Sequence, residues 1–266
     1  MTDTQWERLL PLLPPQRPRT GRQARDHRTI LSAILWVLRT GAPWRDLPER
    51  FGPWATAWSR FRRWTAAGVW ARILRVLQRD ADAAGHLDWT IHYVDGTVVR
   101  AHQHAAGAQG GQAHEALGRS RGGFSTKVHL RAEGGGKPLA FVVSGGERQE
   151  SRYVQALLDA GSVRRSARGR PRRRPDRIVG DRGYSYPTVR RLLARRHIRA
   201  VIPRRRDQRP DDRRHAVLDR VAYRERNRVE RLVNRLKQYW RVATRYDKRA
   251  VHYLAMVTLA AVLMWL

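Results

Sequence analysis

Cysteine is absent from the 266 residues of the chain. Its absence excludes disulfide frameworks and cysteine-based zinc fingers, and it is compatible with a reducing cytoplasm. Acidic residues are also scarce, with 23 Asp and Glu against 54 Lys and Arg, for a net charge of +31. Only four of those cations are lysines, so arginine carries the charge. A charge this large along the whole chain indicates a polyanionic partner, and the forked guanidinium group suits phosphate.

Hydrophobic targeting segments are also lacking. The first residues have no basic stretch followed by an apolar run, so we predict no signal peptide and a cytoplasmic location. One uncharged run, residues 250–266, is at the lower length limit for crossing a membrane, and His252 and Thr258 make it less apolar. We therefore predict a buried C-terminal helix and no membrane contact. A tail anchor is the alternative.

Helical patterns fill residues 1–85, which we predict to be a separate helical DNA-binding domain, with the tryptophans of this half assigned to packing. A short helix and a Gly-Pro break precede a helix over 55–67, where Arg60, Arg62 and Arg63 lie outside the apolar face. A helix-turn-helix presents a recognition helix to the major groove in this way. A solvated face on an ordinary helical bundle is the alternative.

Residues 86–266 begin with strand patterns and end with helices. We predict a strand over 89–94 that Asp95-Gly96-Thr97 terminates, a hairpin from 124–131 and 138–143, and a strand ending just before Asp181. Hairpin strands followed by strand–helix alternation predict a mixed sheet covered by helices. In such a sheet the first strand can lie beside the strand that ends at Asp181.

A glycine-rich segment between the first strand and the hairpin has the composition of a phosphate contact. Residues 118–123 read G-R-S-R-G-G and supply Arg119 and Arg121, and Lys127 follows. Because glycine lets backbone N–H groups approach an anion closely, we predict that these three cations contact DNA phosphates.

The chain's most informative stretch is residues 223–240, Y-R-E-R-N-R-V-E-R-L-V-N-R-L-K-Q-Y-W. On one continuous helix, Tyr223, Arg226, Glu230 and Lys237 fall within about 60° of one another. The adjoining arc is apolar and predicted to be buried, and it consists of Val229, Leu232, Val233, Leu236 and Trp240. Glu230 has two interpretations: an ion pair with Arg226 on a solvated face, or a metal ligand flanked by cations that bind phosphate.

The spacing Tyr-x2-Arg-x3-Glu-x6-Lys resembles the signature around the third acidic residue of bacterial insertion-sequence transposases of the DDE superfamily. Tyr223, Arg226, Glu230 and Lys237 match all four positions. The segment W-R-D-L-P-x-x-F-G-x-W followed by R-F-x-R-W is similar to the N-terminal region of the same transposases, which is taken to bind the ends of the element.

This resemblance implies an RNase H-like catalytic domain preceded by a helix-turn-helix-type domain. It implies that Asp95, Asp181 and Glu230 hold two divalent ions, Mg²⁺ or Mn²⁺, and that Tyr223, Arg226 and Lys237 contact DNA. The implied activity is cleavage at the element's ends and strand transfer to target DNA, with double-stranded DNA as partner and a homo-oligomer on that DNA. The alternative function is a non-catalytic DNA-binding protein, a decayed or repurposed transposase.

Overall fold

The computed structural model describes residues 1–17, 25–108, 111–120, 122–165, 168–205 and 218–266. The N-terminal part is helical, as the sequence predicts. Its helices are α1 (Asp3–Leu9), α2 (His27–Thr40), α3 (Trp54–Ala66) and α4 (Val69–Ala83). Asp26 caps α2 by accepting a hydrogen bond from the Thr29 N–H at 2.8 Å, and Gly41 ends the helix in the left-handed conformation.

The connection between α2 and α3 differs from the predicted short helix. It consists of two single 3-10 turns, Trp44–Asp46 and Glu49–Phe51. Leu47, which precedes Pro48, is extended, as steric contact with a proline ring favours, and it separates the two turns. In this part of the chain the first helix of a regular helix-turn-helix is therefore replaced by two turns.

Arg60 is the one cation of α3 that the sequence analysis placed wrongly. Its side chain is 6% exposed, with Nη1 2.9 Å from Nδ1 of His27 and the guanidinium over the ring of Trp64. The apolar arc of α3 did not predict this because the polar partner comes from α2, outside the helix itself. Arg62 and Arg63 are exposed, as expected.

The second part forms the mixed sheet that the sequence predicts, and its fold is RNase H-like. The strands are β1 (Ile91–Ala101), β2 (Gly118–Ser120), β3 (Gly123–Ala132), β4 (Pro138–Gly145), β5 (Arg177–Val179), β6 (Arg199–Val201) and β7 (Thr244–Arg245). The spatial order is β4-β3-β1-β5-β6, with β2 added to β3 and β7 to β1. Strands β4, β3 and β1 pair antiparallel, whereas β1, β5 and β6 are parallel.

The predicted end of the first strand at Asp95-Gly96-Thr97 is wrong. Strand β1 continues through these residues because β3 pairs with it from Tyr93 to Arg100, with Asp95 opposite Leu130 and Gly96 opposite His129. Tertiary pairing thus overrides the local turn signal of an Asp-Gly pair.

Helices flank the sheet: α5 (Val154–Ala160), α6 (Pro187–Arg195), α7 (Arg220–Arg224), α8 (Asn227–Lys237), α9 (Trp240–Ala243) and α10 (Ala250–Trp265). The single helix predicted over 223–240 is therefore three helices. Four of the five predicted core residues are buried, but Trp240 is 67% exposed. The chain turns at the extended Tyr239 before α9 begins, and this turn moves Trp240 off the apolar arc of α8.

The C-terminal helix α10 is buried, as predicted, rather than an anchor. It packs against α4 and β4, and the indole N–H of Trp265 donates to the carbonyl oxygen of Pro138 at 2.8 Å. Within the described ranges, no helix has both the length and the apolar character needed to cross a bilayer. One hydrophobic core runs from α2 through α4 to α10 and the sheet, while the division into domains 1–85 and 86–266 stays a prediction.

Candidate active site

Two of the three predicted acids lie side by side at one edge of the parallel part of the sheet. Tyr93 of β1 pairs with Val179 of β5, so Asp95 and Asp181 each lie two residues beyond this pair on neighbouring strands. The Asp95 carboxylate accepts a hydrogen bond from the N–H of Gly96 at 2.9 Å, and that of Asp181 accepts one from Gly183 at 2.7 Å. Parallel pairing therefore brings together residues that are far apart in the sequence.

The pKa of Asp95 reflects its burial and the charged groups around it. Burial raises the pKa of Asp95 to about 6, against the opposing effects of the Gly96 hydrogen bond and the nearby Arg226 guanidinium. The negative charges of Asp181 and Glu150 contribute to this raised pKa in the same direction as burial. Repulsion between acids held together in a partly buried site is the pattern expected where a cation is bound.

Glu150 is a carboxylate of this cluster that the sequence analysis missed. A Cβ atom added at Gly96 would lie 2.8 Å from its Oε1, and one added at Gly183 would lie 3.3 Å from its Oε2. Its carboxylate is therefore close to the backbone that follows each aspartate, and burial raises its pKa. In the sequence Glu150 only begins a helical segment. The glycines that follow Asp95 and Asp181 were the available signal, since both leave room for it.

Lys127 has a different partner from the predicted phosphate. Its Nζ lies 3.3 Å from Oε1 of Glu150 and donates to the carbonyl oxygen of Arg148 at 2.8 Å, and the side chain is only 12% exposed. The phosphate contact of Lys127 stays a prediction, because in this structure its charge balances that of Glu150. Arg119 is exposed on β2, whereas Arg121 lies outside the described residues.

Glu230, the third predicted acid, is engaged by a cation four residues before it. Its side chain is 47% exposed and forms an ion pair with Arg226, which is the first of the two interpretations drawn from the sequence. Arg226 is also close enough to Asp95 to lower its pKa, so one guanidinium group interacts with both acids. Tyr223 packs partly against the core, and Lys237 at the end of α8 is half-buried.

The acidic cluster offers the kind of ligand atoms that a hard divalent cation binds. The carboxylate oxygens of Asp95, Asp181 and Glu150 are ligands that Mg²⁺ and Mn²⁺ prefer. Among the described residues, however, no three acidic or histidine side chains are arranged closely enough to hold a metal ion. The donor types therefore fit, while Glu230 would have to leave Arg226 to join the aspartates.

Comparisons with known proteins agree with this architecture. Residues 90–265 match a family model described as "Transposase DDE domain", and residues 1–74 match one whose description proposes an IS4/5 family transposase. Protein y4sN of Sinorhizobium fredii, itself uncharacterized, is 39% identical over 140 residues, which cover 51% of this chain and 96% of the relative. An uncharacterized 16.2 kDa protein of insertion element IS402 from Burkholderia cepacia is 42% identical over 105 residues, covering 37% of this chain and 71% of that protein.

Among solved structures, the piggyBac transposase in its synaptic complex with hairpin DNA is similar over 97% of this chain and 69% of that chain. The identity is 12% and the TM-score is 0.48.

Proposed function

The chain belongs to the family of transposases with a DDE domain, and from this membership we propose that it cuts the ends of an insertion sequence and joins them to target DNA. Asp95, Asp181 and Glu230 are its catalytic acids in this proposal. The observation that carries it is the parallel pairing of β1 with β5, which sets Asp95 beside Asp181 at one sheet edge.

The three acids would hold Mg²⁺ or Mn²⁺, two ions per site. Such ions activate the attacking water or 3′-hydroxyl and stabilise the leaving oxygen of the phosphodiester. The chain's own groups then bind and orient the DNA strand. Because the metal supplies the activation, the proposal needs no Ser or Tyr nucleophile.

Arg226 is the central residue for phosphate binding in this proposal. Without DNA its guanidinium is paired with Glu230 and lies close to Asp95. A phosphate is a better bidentate partner than one exposed carboxylate, since several charged oxygens face the guanidinium fork. A phosphate that draws Arg226 away leaves the Glu230 carboxylate available for a metal ion. Lys237 and Tyr223 would contact the same strand.

The partner in this proposal is double-stranded DNA, both the element's ends and the target, in the bacterial cytoplasm. Two ends must be brought together for transposition, so we propose a homo-oligomer assembled on DNA. The exposed Arg62, Arg63 and Arg119 are further candidates for contacts with phosphate. Arg60 is not one of them, because it is buried.

The test is metal-dependent cleavage of the element's terminal repeats. We expect Asp95→Ala, Asp181→Ala and Glu230→Ala each to abolish cleavage with Mg²⁺ while DNA affinity stays largely intact. Glu225→Ala is the matched control, since Glu225 is an acid at the α7–α8 junction that pairs with Arg228 instead. Cleavage that survives in one of the three variants removes that residue from the site.

The same assay decides between this function and a non-catalytic DNA-binding protein. In the second case the wild-type protein would bind the repeats with and without metal and would produce no nick. The ion pair between Glu230 and Arg226 favours this second function, because it leaves the third acid engaged.

A further inference from the structure

A groove lined by arginine lies on a part of the molecule that the candidate active site does not use. It has a volume of about 560 Å³ and runs between α4 and a segment of which residues 162–165 and 168–173 are described. Arg72, Arg75 and Arg79 of α4 form one wall, and Arg164 and Arg173 contribute to the other. Among the described residues, no acidic side chain lines this groove.

The arginines of α4 are held at a spacing that brings like charges together. Arg72, Arg75 and Arg79 lie three and four residues apart on one exposed stripe, whereas Ile73 and Leu77 face the core. Like charges at such spacings destabilise a helix. An anion bound in the groove would offset this repulsion.

Contacts within the described part of the protein engage only two of the five arginines of the groove. Arg79 pairs with Asp80 at 2.7 Å, and Arg72 donates to the carbonyl oxygen of Leu12 at 3.2 Å. Within the described ranges, Arg75, Arg164 and Arg173 form no ion pair. Three guanidinium groups are therefore available to a ligand.

The second wall is fixed against α4 by its own contacts. Val163 and Arg172 exchange two backbone hydrogen bonds of 2.8 Å, so the segment folds back on itself. The Arg172 guanidinium lies over the ring of Trp89, 4.9 Å from its centroid, and pairs with Asp82 of α4 at 3.4 Å. The groove thus has two supported walls that belong to the two sequence regions predicted as separate domains.

The groove is distant from the candidate catalytic acids. Trp89, beneath its second wall, lies two residues before β1 and six residues before Asp95, a separation of up to about 20 Å at about 3.3 Å per residue. On duplex DNA this separation corresponds to up to about six base pairs. A phosphate in the groove is therefore a different one from a phosphate at Asp95 and Asp181.

We propose that the arginine groove binds the phosphate backbone of duplex DNA up to about 20 Å from the phosphate at the candidate catalytic acids. The guanidinium groups on both walls match the phosphate groups of a backbone strand in charge and in hydrogen-bonding geometry. The inference rests on the proposed function only for the identity of the polyanion as DNA.

The experiment measures how salt weakens binding of the full-length protein to a duplex of about 30 base pairs, long enough to cover both sites. The variant Arg75→Gln/Arg164→Gln/Arg173→Gln removes the three unpaired charges. We expect the slope of log K against log salt concentration to become shallower by about 2.7, at about 0.9 per lost phosphate contact. Lysine at the same three positions keeps the charge and should keep the wild-type slope.

The matched control, Arg191→Gln/Arg195→Gln/Arg199→Gln, removes the same net charge from exposed arginines of α6 and β6. Its slope should stay at the wild-type value. The proposal is overturned if the groove variant keeps the wild-type slope, or if both triple variants lose the same amount. Should the triple groove variant fail to fold, Arg75→Gln alone must lower the slope by about 0.9.

Binding is measured without divalent metal, so the result does not depend on cleavage. A failure of the cleavage test with the Asp95 variant would leave the groove proposal standing. An unchanged salt slope would, in turn, leave the catalytic proposal standing.

Discussion

Gly96 allows a steric test of how the acid cluster is built. Its backbone is an ordinary part of β1, so conformational freedom does not explain a glycine there. The explanation is contact: a Cβ atom at this position would lie 2.7 Å from Cγ and 2.8 Å from Cδ and Oε1 of Glu150. Because real Cβ contacts are not this short, Gly96→Ala must displace the Glu150 side chain and separate it from Lys127.

We expect Gly96→Ala to lower the free energy of unfolding by about 1–3 kcal/mol, the usual cost of forcing an extra methyl group into a packed site. Urea denaturation followed by circular dichroism measures this change. The variant Glu150→Ala opens the space that the new methyl group needs. The double variant should therefore be more stable than the sum of the two single changes predicts, by about 1–2 kcal/mol.

Glutamine at position 150 is the matched control, because it keeps the shape of the side chain. Combined with Gly96→Ala, Glu150→Gln should give no relief. Additive effects of Gly96→Ala and Glu150→Ala would refute the steric explanation, and so would equal relief by alanine and glutamine.

Three further predictions concern buried groups. Burial lowers the pKa of His129 to about 4, so its contribution to stability is complete above pH 6.5 and falls by about 3 kcal/mol as the pH drops to 4. Urea midpoints measured across this pH range should show the loss, and His129→Gln should make the dependence of the midpoint on pH flatter. Gly41→Ala, at φ 70° and with a Cβ 3.0 Å from that of Trp240, should cost about 1–2 kcal/mol in a thermal melt. Arg60→Met, which removes the partner of Nδ1 of His27 but leaves the contact of its Nε2 with the Pro14 carbonyl oxygen, should lower stability by about 1–3 kcal/mol without changing the salt dependence of DNA binding.

Features that depend on local pattern were predictable from the sequence. The hairpin of β3 and β4 and the buried helix α10 both follow from the hydrophobic pattern of the sequence. The order of the elements allowed the first strand to lie beside the strand that leads to Asp181, and β1 pairs with β5 in the structure. These predictions succeeded because the tertiary structure agrees with the local preference in each case.

The errors occur where a partner distant in sequence decides the outcome. The Asp95-Gly96 pair has the sequence of a turn, yet β3 extends the strand across it. The stripe of α3 predicted an exposed Arg60, yet His27 of α2 provides it with a buried partner. No pattern in the residues next to Glu150 predicts that it joins the acidic cluster, and only the folded sheet brings it close to the two aspartates.

The charges of the cluster have a consequence for how DNA and metal affect each other. In the described structure each engaged carboxylate has a cation from the chain: Glu150 has Lys127, and Glu230 has Arg226, which also acts on Asp95. Under the proposed function, Arg226 would be released for a phosphate if a divalent metal took over this compensation, and Glu230 would be released for a metal if a phosphate bound Arg226. Thermodynamic linkage would then make the two effects equal, so each ligand would strengthen the binding of the other by the same factor. We therefore expect the acids to stay paired with cations of the chain until DNA and metal are present together.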